Sequence, residues 1–198
     1  MKQIIRFATR EDAPGILEIY APFVIGSAVT FEEEVPSAEE IAARIEQIAA
    51  KLPYLVCDIN GRIAGYAYAF EFRTRSAYRW IKELSVYVHP GFRRKNIAGA
   101  LYYCLFELMK SQGITSVLAC ITLPNIESVM FHEKVGFRKA GEFMANGYKL
   151  GKWHNVGWWE LDLNPERTDP CDQPLSIREV PEKKVQEILR KGTEMIKF

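Results

Sequence analysis

The stretch Val86-Tyr87-Val88-His89-Pro90-Gly91-Phe92-Arg93-Arg94-Lys95-Asn96-Ile97-Ala98-Gly99 decides how this chain folds. Val86 to Val88 continue an alternating strand, Pro90-Gly91 turns the backbone, and Ile97, Leu101, Leu105 and Leu108 then recur at the spacing of an amphipathic helix. The loop opens onto a helix N-terminus with Arg93, Arg94 and Lys95 gathered beside it. Such an end attracts anions. First-turn N–H groups have no intrahelical acceptor, the macrodipole adds partial positive charge, and Ala98, Gly99 and Ala100 are small enough for a phosphate to reach the backbone.

Outward from this loop, Ile81 to Val88 reads as a central strand, and the helix of Ile97 to Gln112, stopped by Gly113, leads to a strand at Ser116 to Ile121. Asn125 to Val135 is a shorter helix with Gly136 as its left-handed stop. Upstream, Ile4 to Phe7 forms a first strand, and a helix from Thr9–Asp12 is weakened or bent at Pro22. Ser37-Ala38-Glu39-Glu40 is a capping box opening a second helix. Tyr54 to Asp58 and Arg62 to Phe70 flank Asn60-Gly61, a tight hairpin turn. Phe137 to Phe143 and Gly157 to Leu163 complete the sheet, with Trp153 in the loop between them. The order of elements predicts an α/β fold with a mixed sheet.

Composition narrows the function. With 48% apolar and 26% charged residues the 198-residue chain reads as an ordinary globular protein, long enough for one well-buried core. Its net charge of +1 provides no global field for nucleic acid or an anionic membrane, so the local basic cluster suits a small polyanionic ligand. No apolar run approaches the ~20 residues of a membrane span, and Met1 to Arg6 leads into charged sequence without a signal-peptide core, so a cytoplasmic protein is expected. Cys57, Cys104, Cys120 and Cys171 lack metal-ligand spacing, and the first three are expected to be buried thiols. Beyond Leu163, Pro165, Pro170 and Pro174 mark a linker, and Pro181 to Ile196 carries a helical apolar face at Val185, Ile188 and Leu189. The expected division is 1–163 for the domain and 164–198 for the linker and helical tail.

Glu83, three residues before Val86, and Asn125, Ser128 and His132 on the second helix complete the pattern. With the basic loop, these residues resemble the GNAT superfamily of acetyl-CoA-dependent N-acetyltransferases. That family's pyrophosphate loop runs Gln/Arg, two residues, Gly, one residue, Gly/Ala, matched here by Arg93, Asn96 and Ala98. Asn96 replaces the usual Gly, and Asn is the non-Gly residue most at ease at positive φ. Arg75 to Trp80 before Glu83, Leu123-Pro124-Asn125 before Ser128, and Gly151 to Gly157 look like the phosphinothricin N-acetyltransferases and their amino-acid-analogue-acetylating relatives. The resemblance runs from about Ile4 to Leu163.

It implies a GNAT-like, mostly antiparallel sheet flanked by helices, with a C-terminal helical extension outside it. It further implies acetyl-CoA as co-substrate, no metal, a small-molecule amine acceptor, no nucleic-acid or membrane partner, and a homodimer. The pantetheine arm would lie along Val86, Tyr87 and Val88. The pyrophosphate would lie on Arg93, Arg94, Lys95, Asn96, Ile97, Ala98 and Gly99, with Asn125 and Ser128 alongside. The acceptor would meet Phe31, Arg73, Thr74, Arg75, Tyr78, Glu83, Leu84, Ser85 and Asn125.

Acetyl transfer to an amine requires the neutral amine. An alkylamine with pKa near ~10.4 is neutral to about one part in a thousand at pH 7, which represents roughly 4 to 5 kcal/mol. Glu83 is the candidate general base. His132 stands where many GNAT enzymes carry a Tyr that protonates the thiolate, and either a catalytic or a structural histidine satisfies its sequence context. Three functions remain open: an N-acetyltransferase for amino-acid analogues such as phosphinothricin, methionine sulfone or methionine sulfoximine; a GNAT enzyme for another amine such as a protein N-terminus; and a non-catalytic acyl-CoA sensor.

Overall fold

The structure is a computed structural model that describes residues 2–166 and 172–198, so Pro170 and Cys171 lie outside the described residues. Its strands are β1 (Gln3–Phe7), β2 (Tyr54–Ile59), β3 (Arg62–Glu71), β4 (Ile81–Val88), β5 (Ser116–Leu123), β6 (Arg138–Lys149) and β7 (Lys152–Asp162). They form one sheet in the order β1-β2-β3-β4-β5-β7-β6, antiparallel except between β4 and β5. The expected mixed α/β architecture is present.

Helices cover both faces: α1 (Ala13–Gly26) and α2 (Ala38–Ala49) on one, α3 (Ile97–Gln112) on the other. On α3 the fully buried Leu101, Leu105 and Leu108 pack over Ala67, Ala69 and Leu84 of β3 and β4. On the opposite face Tyr54, Val56 and Tyr66 meet Ile16, Ile19 and Ile45. The capping box at α2 forms as its sequence predicts, Glu40 N–H donating to Ser37 Oγ at 3.2 Å and Ser37 N–H to Glu40 Oε2 at 2.7 Å.

Three expectations need correction. The hairpin of β6 and β7 is longer than expected, because Leu150 and Gly151, with φ of 53° and 78°, make a two-residue turn that lets pairing continue from Lys149↔Lys152. Trp153 lies in β7 opposite Tyr148 rather than in a loop. Helix α1 continues through Pro22 to Gly26, so the expected weak point lies inside the helix. Cys120 is exposed, whereas Cys57 and Cys104 are buried.

A last helix, α5 (Glu182–Glu194), lies against α3 and β1. Gly192 permits this approach, since a Cβ there would stand 2.1 Å from Cys104 Sγ. Thr193 Oγ1 accepts the Ile5 N–H at 2.9 Å, satisfying a donor on the edge strand.

The feature that positions the site is a split in the sheet. β4 and β5 pair only through Ile81↔Ser116, Lys82↔Val117 and Glu83↔Leu118. Beyond that rung β4 stays with β3 as far as Val88↔Gly65, and β5 stays with β7 as far as Leu123↔Asn155. The two central strands diverge, leaving backbone groups of Val86 to Val88 facing the gap.

Candidate active site

The divergence of β4 and β5 opens a groove of about 330 Å³. One wall is Leu84 to Val88, the other Ala119 to Thr122, and Ser128 and His132 of α4 (Ile126–Lys134), with its N-cap Asn125, close one end beside Arg93 and Ala98. Phe23, Val29 and Tyr87 line it from the α1 side, and Val86, Tyr102 and Phe131 from the α3 side. The groove therefore passes through the sheet. Side chains from both faces of the sheet thus meet in one groove, an arrangement that suits a reaction joining two substrates.

At the rim, Asn96 adopts φ 61° and ψ 22°, so the sequence expectation for this position is met by its backbone. Its side chain makes no capping bond to α3, leaving first-turn N–H groups for an anion. Ile97 is 2% exposed and belongs to the core, so only its backbone can face a ligand. Arg93 Nη1 lies 4.0 Å from Glu127 Oε2, an exposed pair too weak to neutralise the loop. The uncapped helix end, the small Ala98 and the unpaired strand edge together fit a diphosphate with an amide-bearing arm. Among the described residues, no cluster of three or more His, Cys, Asp or Glu side chains is placed to hold a metal ion.

Glu83 sits one residue before the groove lining begins at Leu84. Strand alternation puts it with Ser85 and Tyr87 on the α1 side, opposite Phe70 of β3. Burial in this apolar setting pushes its carboxyl pKa up to about 7. A carboxylate at that value is half ionised near neutrality and basic enough to take a proton.

His132 is buried, with Nδ1 2.8 Å from the Ser128 carbonyl and Nε2 3.0 Å from the Tyr102 hydroxyl. The carbonyl can only accept, so the proton is assigned to Nδ1, and Nε2 accepts from Tyr102. Burial lowers the imidazole pKa, keeping the ring neutral. Asn125 caps α4, its Oδ1 accepting Ser128 N–H at 3.2 Å.

The acceptor residues expected from sequence are not all gathered. Leu84, Ser85 and Asn125 line the groove. Arg73, Thr74 and Arg75 are exposed outside it, and the Arg73 guanidinium stacks over Phe72 and Tyr78 at 5.0 and 5.7 Å. Phe31 packs on the β6–β7 hairpin, where a Cβ on Gly147 would stand 2.1 Å from its ring. Tyr102, Phe23, Val29 and Thr122 line the groove without having been expected there. Only Tyr102 carried a sequence signal, a phenol in the buried stripe of α3 that needs a hydrogen-bond partner.

A split parallel pair with a basic helix end at its mouth is the architecture of an acyl-CoA-dependent transferase. Residues 5–158 match the family described as acetyltransferase (GNAT) domain, and the chain belongs to that family. It is 38% identical over 159 residues to a phosphinothricin N-acetyltransferase of Streptomyces viridochromogenes, covering 80% of this chain and 87% of that one. It is 32% identical over 175 residues to an L-methionine sulfoximine/L-methionine sulfone acetyltransferase of Pseudomonas paraeruginosa, covering 86% of this chain and all of that one. Among solved structures, a phosphinothricin acetyltransferase from Sinorhizobium meliloti in complex with acetyl-CoA superposes with a TM-score of 0.80 at 32% identity, covering 90% of this chain and 100% of that one. The chain is an N-acetyltransferase.

Proposed function

We propose that the enzyme transfers the acetyl group of acetyl-CoA directly to the amino group of small amino-acid analogues of the phosphinothricin, methionine sulfone and methionine sulfoximine type. The observation that carries this reading is the groove through the sheet beside a carboxyl whose pKa is raised to about 7. When bound, acetyl-CoA supplies an activated thioester carbonyl. The protein's part is to hold it, orient the amine and take the amine's proton.

Holding falls to the backbone edge of Val86 to Val88 and to the N–H groups at Ala98 and Gly99, with Arg93, Arg94 and Lys95 countering the diphosphate charge. Proton removal falls to Glu83, directly or through a water. His132, neutral and held at both nitrogens, is assigned a positioning role: it keeps Tyr102 in the groove wall. A thiol that ionises near ~8.5 leaves readily as its anion, so this site needs no strong acid at the sulfur.

Arg73 and Arg75 leave the sheet just after Glu71, the partner of Lys82 and hence close in register to Glu83. Folding of this exposed loop toward the acceptor would bring a bidentate guanidinium to its carboxylate. Exposed Phe143, Met144, Tyr148, Leu150 and Trp153 on the β6–β7 hairpin form an apolar surface that a second copy of the chain would cover, giving a homodimer. Light scattering at low micromolar concentration tests that assembly, and a monomer mass would refute it. Cytoplasmic residence remains part of this proposal, and no helix among the described residues is long and apolar enough to cross a membrane.

The test is CoA release from acetyl-CoA across a panel of amines. Turnover of the three amino-acid analogues, with weaker rates for peptides bearing free N-termini, is expected. Acetyl-CoA binding without turnover of any amine would replace the enzyme reading with a sensor.

A further inference from the structure

The chain continues past the matched residues, and its far end returns to the loop that opens α3. Asn96 Nδ2 donates to the Met195 carbonyl at 3.0 Å, and the Lys197 N–H donates to the Lys95 carbonyl at 2.9 Å. The Lys95 ammonium lies 4.2 Å from the ring centre of Phe198. Between these contacts Ile196 is 6% exposed and packs into the main core. Three interactions of different kinds thus tie two consecutive loop residues to Met195, Lys197 and Phe198 of the tail.

Asn96 explains why the tie exists. Its backbone is left-handed, a conformation that Gly adopts more cheaply. Gly would bring no side chain, whereas Asn keeps the turn and adds an amide that reaches the tail. Gly99 makes room for it, since a Cβ there would stand 2.5 Å from Asn96 Oδ1. The tail also leaves the helix end uncapped, so it braces the anion site without filling it.

We propose that residues 195–198 are a strap that positions the phosphate loop, with Asn96 as its anchor. The inference rests on the assignment of that loop to the diphosphate of CoA. A short polar loop that is free in solution must lose conformational entropy when it wraps a phosphate. Holding Lys95 and Asn96 in place beforehand removes part of that loss from the binding step, so the strap tightens CoA binding without touching the ligand.

Two variants and three readouts test this. The variants are Asn96→Gly, which keeps the turn and deletes the amide, and a chain shortened to end at Ile196, which keeps the core contact and deletes the Lys197 and Phe198 contacts. Calorimetric titration with CoA should show binding weakened about three- to tenfold in each, in line with the loss of one or two modest interactions. Hydrogen exchange of the ligand-free proteins should show faster exchange across amides 94–99. For the shortened chain, the KM of S-acetylpantetheine, which lacks the diphosphate, should stay within about twofold of the parent value.

CoA affinity and loop exchange unchanged in both variants would overturn the strap. So would equal weakening for CoA and S-acetylpantetheine, which would mark general destabilisation. A parent protein that fails to bind CoA would instead defeat the cofactor assignment, and the exchange measurement would still decide whether the strap orders the loop.

Discussion

Glu83 and Leu118 form the last rung of the parallel ladder between β4 and β5. One residue farther on, the strands part and the groove lining begins, so the carboxyl stands where the sheet changes from continuous to open. Its half-buried position raises its pKa from 4.5 to about 7. The folded protein therefore holds this proton more tightly than the unfolded chain does. Stability falls as pH rises through that window, and the penalty persists above it. Thermal melts of Glu83→Gln should show a higher Tm than the parent at pH 8 and little difference at pH 4. An equal difference at both pH values would contradict the raised pKa.

Tyr102→Phe removes the only O–H within reach of His132 Nε2 in this buried cluster. An acceptor left unsatisfied in the interior costs about 1–3 kcal/mol, so Tm should fall by several degrees at this chain length. CoA affinity should change little, because the lost hydroxyl is not among the backbone groups assigned to the diphosphate and the pantetheine arm. Calorimetry and thermal melting check the pair, and an unchanged Tm would mean that His132 does not depend on this bond.

Ala98 stands where the groove meets the first turn of α3. Ala98→Leu places a branched side chain between the helix end and an approaching phosphate. The KM for acetyl-CoA should rise at least tenfold, about 1.4 kcal/mol. Steady-state kinetics at saturating acceptor measures it, and an unaltered KM would move the diphosphate elsewhere.

The segment between α1 and α2 is held to the β6–β7 hairpin by Phe31 packed on Gly147 and by Lys149 Nζ donating to Thr30 O at 2.8 Å. Gly147→Ala puts a methyl 2.1 Å from the Phe31 ring, too close to coexist with it. The segment must shift. If it forms part of the acceptor pocket, acceptor KM should rise severalfold while CoA affinity holds. Equal acceptor kinetics in variant and parent would assign Phe31 to packing alone.

Much of this architecture was legible because it is written in local signals. The Asn60-Gly61 turn, the Ser37–Glu40 box and the Gly113 stop each fix backbone geometry within a few residues. The basic loop was legible for the same reason. The long β6–β7 hairpin was not, since Leu150 is a poor sequence marker for a positive-φ turn. The phenol of Tyr102 signalled a need for a partner but not a place in the groove, because it looks like core until His132 on α4 is seen beside it. The link from Asn96 to Met195 joins positions 99 residues apart, and no pattern in either segment announces it.

The central claim is that Glu83 takes the proton from the amine. Glu83→Gln keeps size and hydrogen-bonding capacity but removes the base, so acetyl-CoA should bind nearly as before while transfer to methionine sulfone falls about 10²–10⁴-fold at neutral pH. In the parent, kcat/KM should rise with pH through about 7 as the carboxyl ionises. In the variant that limb should vanish, and the deficit should narrow as pH approaches the amine's own pKa. The decisive measurement is CoA release by both proteins across pH, under conditions where chemistry limits the rate. A variant that matches the parent at pH 7, or that keeps the same rising limb, would contradict the account.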